Sequence, residues 1–153
     1  EGRRALHHAA RGGAERVVRL LLTARATAEA GCGQGATALH YAAASGHAGI
    51  CQLLLEAAPL AAGAREGLGL TPLHDAASGG HSEVAALLLS ARADPDAREA
   101  SGATPLHYAA SGGSAAVVEV LVAAKAQHQA AADGATPLGI ARAAGHAKVV
   151  AVL

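Results

Sequence analysis

Apolar and polar positions along the chain follow a rhythm made of two unequal parts. The clearest copy opens with Thr71-Pro72-Leu73-His74-Asp75-Ala76-Ala77, passes through Gly79-Gly80-His81, and continues with Val84, Leu87 and Leu88. Spacings of three and four residues put the second set on one side of an α-helix. The first part reads as a helix start, with Thr at the cap and Pro at the first helical position, where its missing N–H costs nothing. The glycines end that first helix, which is therefore short, so the unit is helix, turn, helix. The pattern recurs at Thr37-Ala38-Leu39-His40-Tyr41-Ala42-Ala43, followed by Gly46, Ile50, Leu53 and Leu54, and at Thr104-Pro105-Leu106-His107-Tyr108-Ala109-Ala110, followed by Gly113. Weaker copies occupy residues 4–10 and 136–142, the latter followed by Gly145. From Arg4 through Thr37, Thr71 and Thr104 to Thr136 the intervals are 33, 34, 33 and 32 residues. A fixed period of this length means stacked supersecondary units. Between units, stretches such as 92–102 carry Asp94, Pro95 and Gly102 at turn positions and suit extended, hairpin-like loops. The two irregular intervals are expected to arise in such loops, at 56–70 and 125–134.

Composition changes the picture in one respect, the makeup of the core. The 153 residues include two Tyr and no Phe, Trp or Met, while Ala supplies 44 positions. That suits thin helices packed closely, each unit burying its apolar side against its neighbours. Twelve basic residues balance twelve acidic ones, so the basic field of a nucleic-acid binder is missing and no nucleic-acid partner is expected. Cys32 and Cys51 form no CxxC pattern and suggest neither a zinc site nor a disulfide framework, which fits a reducing, intracellular compartment, cytoplasmic or nuclear. No apolar run approaches a membrane span, and direct membrane insertion is not expected. The chain opens inside a unit and reaches Leu153 where a helix should still be running, so it is expected to be part of a longer polypeptide.

Residues 71–97, TPLHDAASGGHSEVAALLLSARADPDA, resemble the ankyrin repeat family nearly position for position, and the resemblance extends over essentially the whole chain. It implies an all-α ankyrin-repeat solenoid of stacked helix-turn-helix units joined by hairpin-like loops. The expected organisation is one ankyrin repeat domain over 1–153, with repeats at approximately 1–33, 34–67, 68–100, 101–132 and an incomplete 133–153. The departures from the family pattern also carry expectations. Arg4 in the Thr place, with Arg3, Arg11, Arg16 and Arg19, suits an N-terminal cap facing water. Gly139 in the His place and Arg142 in the second Ala place suit a last or nearly last unit. Arg25, Ala58, Arg92 and Lys125 stand where the family usually has Gly after the second helix; each costs roughly 1 kcal/mol if it is left-handed.

Residues that suggest chemistry have plainer explanations. His7, His40, His74 and His107 share one place in the unit, and His47, His81 and His146 share another. Repetition assigns these seven to structure, leaving His8 and His128 unassigned and no metal site expected. The resemblance implies that the first set turns inward to bond the Thr side chain and hairpin backbone, at about 1 kcal/mol per bond. Cys51 falls on an apolar helix position and reads as core; Cys32, in a Gly-rich loop, reads as more exposed, with nothing nearby to activate it. Asp94 and Asp96 read as turn residues, and Gly79-Gly80 and Gly112-Gly113 close helices without following a strand, which argues against a phosphate loop. No catalytic residue and no cofactor is expected.

The resemblance places function on a concave face built from hairpin tips and first helices. The candidate protein-binding residues there are Gln34, Tyr41, Leu68, Leu70, Asp75, Ser78, Ser101, Tyr108 and Ser111. Tyr41 and Tyr108 suit either binding anchors or ordinary packing cover. The expected function is a monomeric, non-catalytic protein-interaction scaffold with a protein partner. The alternative is the substrate-recruiting or regulatory ankyrin segment of a larger enzyme, an acyltransferase, kinase or ubiquitin ligase, with its catalytic domain outside this chain.

Overall fold

Each Thr-x-Leu-His segment starts a helix by the same local device. In a computed structural model describing residues 4–129 and 132–153, Thr37, Thr71 and Thr104 are extended and their hydroxyls accept the N–H of the His three residues on. The imidazole Nδ1 in turn accepts the Thr N–H at 3.1 Å in all three units. Two otherwise orphaned helix-start donors are thereby satisfied. Among the described residues this gives ten helices in five pairs: α1 (Ala5–Arg11) with α2 (Glu15–Thr23), α3 (Ala38–Ala44) with α4 (Ala48–Ala57), α5 (Pro72–Gly79) with α6 (Ser82–Ser90), α7 (Pro105–Ser111) with α8 (Ala115–Ala123), and α9 (Pro137–Ala143) with α10 (Ala147–Val152). The chain is an all-α solenoid, as the period predicts.

Two layers result. The odd-numbered helices stack α1 on α3 on α5 on α7 on α9, and the even-numbered helices stack behind them in the same order. Leu39, Leu73 and Leu106 are wholly buried between the layers, against Ile50, Leu54, Val84, Leu88, Val117 and Leu121 of the second helices. Full burial of such a side chain is worth about 1.5–3 kcal/mol, and the units bring one each in register. Ala42, Ala43, Ala76, Ala77, Ala109 and Ala110 are also buried, and their single methyls let the first helices approach closely without aromatic filling. In the fifth unit the corresponding Arg142 is exposed, and Arg4, Arg11, Arg16 and Arg19 of the first unit all face water. Arg3, part of the same expectation, lies outside the described residues.

The loops account for both irregular intervals. Arg25, Arg92 and Lys125 do follow their helices with φ of 59°, 64° and 63°. Ala58 does not: its φ is −148°, and the chain enters a 3-10 turn at Pro59–Gly63 that absorbs the extra residue of the second interval, from Thr37 to Thr71. The ring of Pro59 restricts Ala58 to extended conformations, so the left-handed expectation fails there. The shortened interval has a different origin. Three hairpins close by N–H to carbonyl bonds from Cys32 to Ala36, Glu66 to Leu70 and Glu99 to Ala103, with three residues between the bonded pair. In the last, Ala132 and Ala135 bond each other reciprocally across Asp133-Gly134, whose φ values are 47° and 80°. An Asp-Gly pair with both φ positive is the two-residue hairpin turn, one residue shorter than the others. Residues 130–131 of that loop lie outside the described residues.

Candidate functional site

The histidines fasten one unit to the next. In the second to fourth units Nδ1 is occupied by the Thr N–H and hydroxyl, and Nε2–H is left to donate to the last carbonyl of the following hairpin: His40 to Leu70 and His74 to Ala103 at 3.2 Å, and His107 to Ala135 at 3.3 Å. In the first unit Nδ1 of His7 accepts the Arg4 N–H, and its Nε2–H donates at 2.9 Å to the carbonyl of Ala30, ahead of the hairpin. This pattern needs the neutral ring. Burial holds His40 down at about 4, with the Leu70 carbonyl partly opposing, and lowers His74 for the same leading cause. The second set reaches the other way. His47, His81 and His146 point Nε2 at the carbonyls of Arg11, Ala44 and Ser111, at 3.2, 3.2 and 3.0 Å, near the end of an earlier first helix. In the fourth unit Ser114 stands in that place, beside Gly80.

The bonds of His40, His74 and His107 hold the hairpin arms against the first helices, and arms are also tied to one another. Gly67 donates its N–H to the Gln34 carbonyl at 2.7 Å, and Ala100 to that of Leu68 at 2.8 Å. Arg65 lies along its hairpin and donates to the carbonyls of Gly69 and Arg98. The tips therefore form an ordered rim.

Every candidate residue is at least partly accessible on this rim or the helices beside it. Gln34, Leu68, Ser78, Ser101 and Ser111 are exposed, Leu68 at 64%; Tyr41, Leu70, Asp75 and Tyr108 are half-buried. The tyrosines also pack. Tyr41 stands edge-on to His7 at 5.6 Å, and Tyr108 to His74 at 5.5 Å, each covering the histidine of the preceding unit. The remaining part of each ring lines a cavity. Gln34, Ala36, His40, Tyr41, Ala44, Glu66 and Asp75 surround about 240 Å³ between the second and third units. Ala103, His107, Tyr108, Ser111 and Ile140 surround about 190 Å³ between the fourth and fifth. Thus Tyr41 and Asp75 share one cavity and Tyr108 and Ser111 another, while Leu68, Leu70, Ser78 and Ser101 line neither.

Asp75 occupies the place held by Tyr41 and Tyr108 in neighbouring units, and its carboxyl is pushed up to about 7, first by burial and then by Glu66. Glu66 and Ile140 were not among the expected binding residues. A signal for Glu66 is present in the sequence: the matching Glu99 spends its carboxylate on the N–H groups of Ser101 and Ala103 and on the Ser101 hydroxyl, and those bonds hold it below the usual carboxylate range. The third unit has Leu68 where the fourth has Ser101, and Glu66 makes no such bond.

The remaining chemical candidates fall where their neighbours dictate. Cys51 is buried, which pushes its thiol up to about 12 and leaves it a core residue. Cys32 is half-buried, its sulfur 3.6 Å from the Tyr41 hydroxyl. Asp94 accepts the N–H of Asp96, the expected turn bond, and Asp96 also accepts the N–H of Gln127 in the following loop at 2.7 Å. Among the described residues no three His, Cys, Asp or Glu side chains gather as a metal ion requires, and no helix is long and apolar enough to cross a membrane.

Comparison with known families matches a profile of ankyrin repeats in three copies, over residues 1–64, 57–131 and 73–153. Comparison with curated proteins gives no match.

Proposed function

Because the chain belongs to the ankyrin repeat family, we propose that it is a non-catalytic interaction scaffold binding another protein through a concave face made by its hairpins and first helices. Members of this family are generally protein-interaction modules. One observation carries the assignment to this chain's own face. In the second to fourth units the recurring Thr, Leu, His and paired Ala are buried, with Thr and His bonded to each other, whereas a set of residues on the hairpins and first helices changes from unit to unit and is accessible. The changing set includes Gln34, Leu68 and Ser101 at the tips, Tyr41, Asp75 and Tyr108 on the helices, and Ala44, Ser78 and Ser111 at their ends. A surface whose framework is satisfied internally is free to vary toward a partner. Leu68 and Leu70 give it an apolar element, and Tyr is a residue type enriched at binding hot spots. The reading places the chain in a reducing, intracellular setting, on the ground that its two cysteines form no CxxC pattern. The reading includes a monomeric chain over 1–153.

Hydrogen exchange of the chain with and without its bound protein partner tests the assignment. Protection concentrated at residues 66–70 and 99–103 and on α3, α5 and α7 is the expected result. Protection confined to α2, α4, α6 and α8 would place the partner on the opposite face and refute it.

A further inference from the structure

The accessible face is not chemically uniform, and the cavities lined by Tyr41 and by Tyr108 differ in kind. In the cavity between the second and third units, Asp75 and Glu66 converge beside the Tyr41 ring and the Gln34 side chain. Neither carboxylate is used by the fold. Asp75 has no hydrogen-bonding or ionic partner among the described residues, and Glu66 lacks the turn bonds that occupy Glu99. Among the described residues no cation faces Asp75 either. Arg65 is committed to the carbonyls of Gly69 and Arg98, and His40 is neutral, with both ring nitrogens engaged. The negative field reaches further along the same face: Asp75, Glu66 and Glu99 together oppose ionisation of Tyr108, after burial, which contributes most.

A half-buried carboxylate with a second acid beside it and no counter-ion is unfavourable for the isolated chain. Burial and Glu66 keep Asp75 at about 7, and an incoming cation would draw it fully into the ionised form. The chemistry matches one class of group. A guanidinium or ammonium carries the opposite charge, donates several hydrogen bonds to carboxylates, and stacks favourably on an aromatic face such as that of Tyr41.

The cavity between the fourth and fifth units has no carboxylate, lysine or arginine in its lining. Ala103, Tyr108 and Ile140 make it mainly apolar, with Ser111 at its edge. It suits a branched aliphatic side chain. The first cavity lies between α3 and α5 and the second between α7 and α9, two helix steps along the stack. At roughly 8–10 Å per step the separation is about 16–20 Å. An extended segment rising about 3.3 Å per residue covers that in five or six residues.

We propose that the partner presents an extended segment whose Arg or Lys side chain enters between Glu66 and Asp75 beside Tyr41, while an aliphatic side chain five or six residues away fills the cavity at Tyr108 and Ile140. The proposal rests on the binding-face reading and gives that face a specificity.

Selection of a displayed library of random twelve-residue peptides on the chain is the test. The expected consensus holds Arg or Lys and, five or six positions away, Leu, Ile or Val. Fluorescence anisotropy with the labelled consensus peptide should show affinity falling about tenfold or more in the Glu66→Gln, Asp75→Asn double variant, and comparably in Ile140→Asp. Thermal unfolding checks that both variants keep the parent fold. Ser78→Trp, on the exposed end of α5, serves as a block of the face. Peptides that lose binding in Ser78→Trp but carry no basic residue and ignore the double variant overturn the charge proposal and leave the binding face standing. Peptides indifferent to Ser78→Trp overturn the binding face itself. Failure to enrich any peptide counts against the proposal.

Discussion

His40 sits near 4 because burial removes the hydration of its charged form, so below pH 6.5 the unfolded chain takes a proton that the folded chain refuses. Its stabilising contribution is complete above 6.5 and is lost as pH falls towards 4, a change of about 3 kcal/mol. His74 acts in the same direction. Asp75 acts in the opposite one. Its folded value of about 7 lies above the ordinary 3.8, so stability is lost as pH rises between those values, because only the unfolded chain ionises freely. Asp75→Asn is therefore expected to raise the urea-unfolding midpoint at pH 7.5, by an amount on the order of 2 kcal/mol once partial solvation of the carboxylate is allowed for. The advantage should vanish by pH 4, leaving the histidine slope unmasked; an equal midpoint for parent and variant at pH 7.5 would refute the buried-acid assignment. A residue that weakens the chain where a partner would bind is the usual trade between stability and function. The histidine roles are legible in the sequence because the residue returns three places after each Thr position. The setting of Asp75 is less so, since it depends on Glu66 in the preceding hairpin and on Leu68 replacing the Ser that would have occupied that acid.

Helix boundaries are legible for a similarly local reason: cap residues and glycines mark both ends of each first helix. What the glycines meet is a tertiary matter. Gly46 has φ 75°, and a Cβ there would stand 2.6 Å from the His81 ring, whereas Gly145, with the same φ, has open space around it. Gly145→Ala should cost only backbone strain, roughly 1 kcal/mol. Gly46→Ala adds displacement of His81 from the Ala44 carbonyl and should cost about 2–3 kcal/mol in denaturant unfolding. Equal costs would show that the histidine does not restrict that turn. Where the helices end in non-glycine residues, Arg92→Gly should stabilise by up to about 1 kcal/mol, while Ala58→Gly should give no such gain because Ala58 is extended. The loop irregularities could be placed from the intervals alone. Their mechanisms required knowing that Pro59 redirects the chain and that Asp133-Gly134 closes the shorter turn.

At the scale of the molecule each helix pair is held mainly by its neighbours, so an internal unit has two supports and an end unit one. The fifth unit also has Gly139 where a histidine would reach onward, and Leu138 is only half-buried where Leu39, Leu73 and Leu106 are fully covered. Amide exchange in α9 and α10 should accordingly be faster than in α5 and α6; the reverse order would contradict nearest-neighbour support. The same construction separates framework from face. Repetition makes the framework readable from one sequence, but the proposed face consists of residues that do not repeat, so repetition names neither its anchors nor its partner. The most direct test combines Leu68→Ser with Leu70→Ser and measures urea unfolding and partner affinity on the same protein. Leu68 is 64% exposed, and Leu70 serves the fold through its backbone carbonyl, which the substitution keeps. The expected result is an unfolding free energy within about 0.5 kcal/mol of the parent, with partner binding weakened by about 1–2 kcal/mol. Early unfolding would assign these leucines to the core, and undiminished binding by a well-folded double variant would contradict the placement of function on this face.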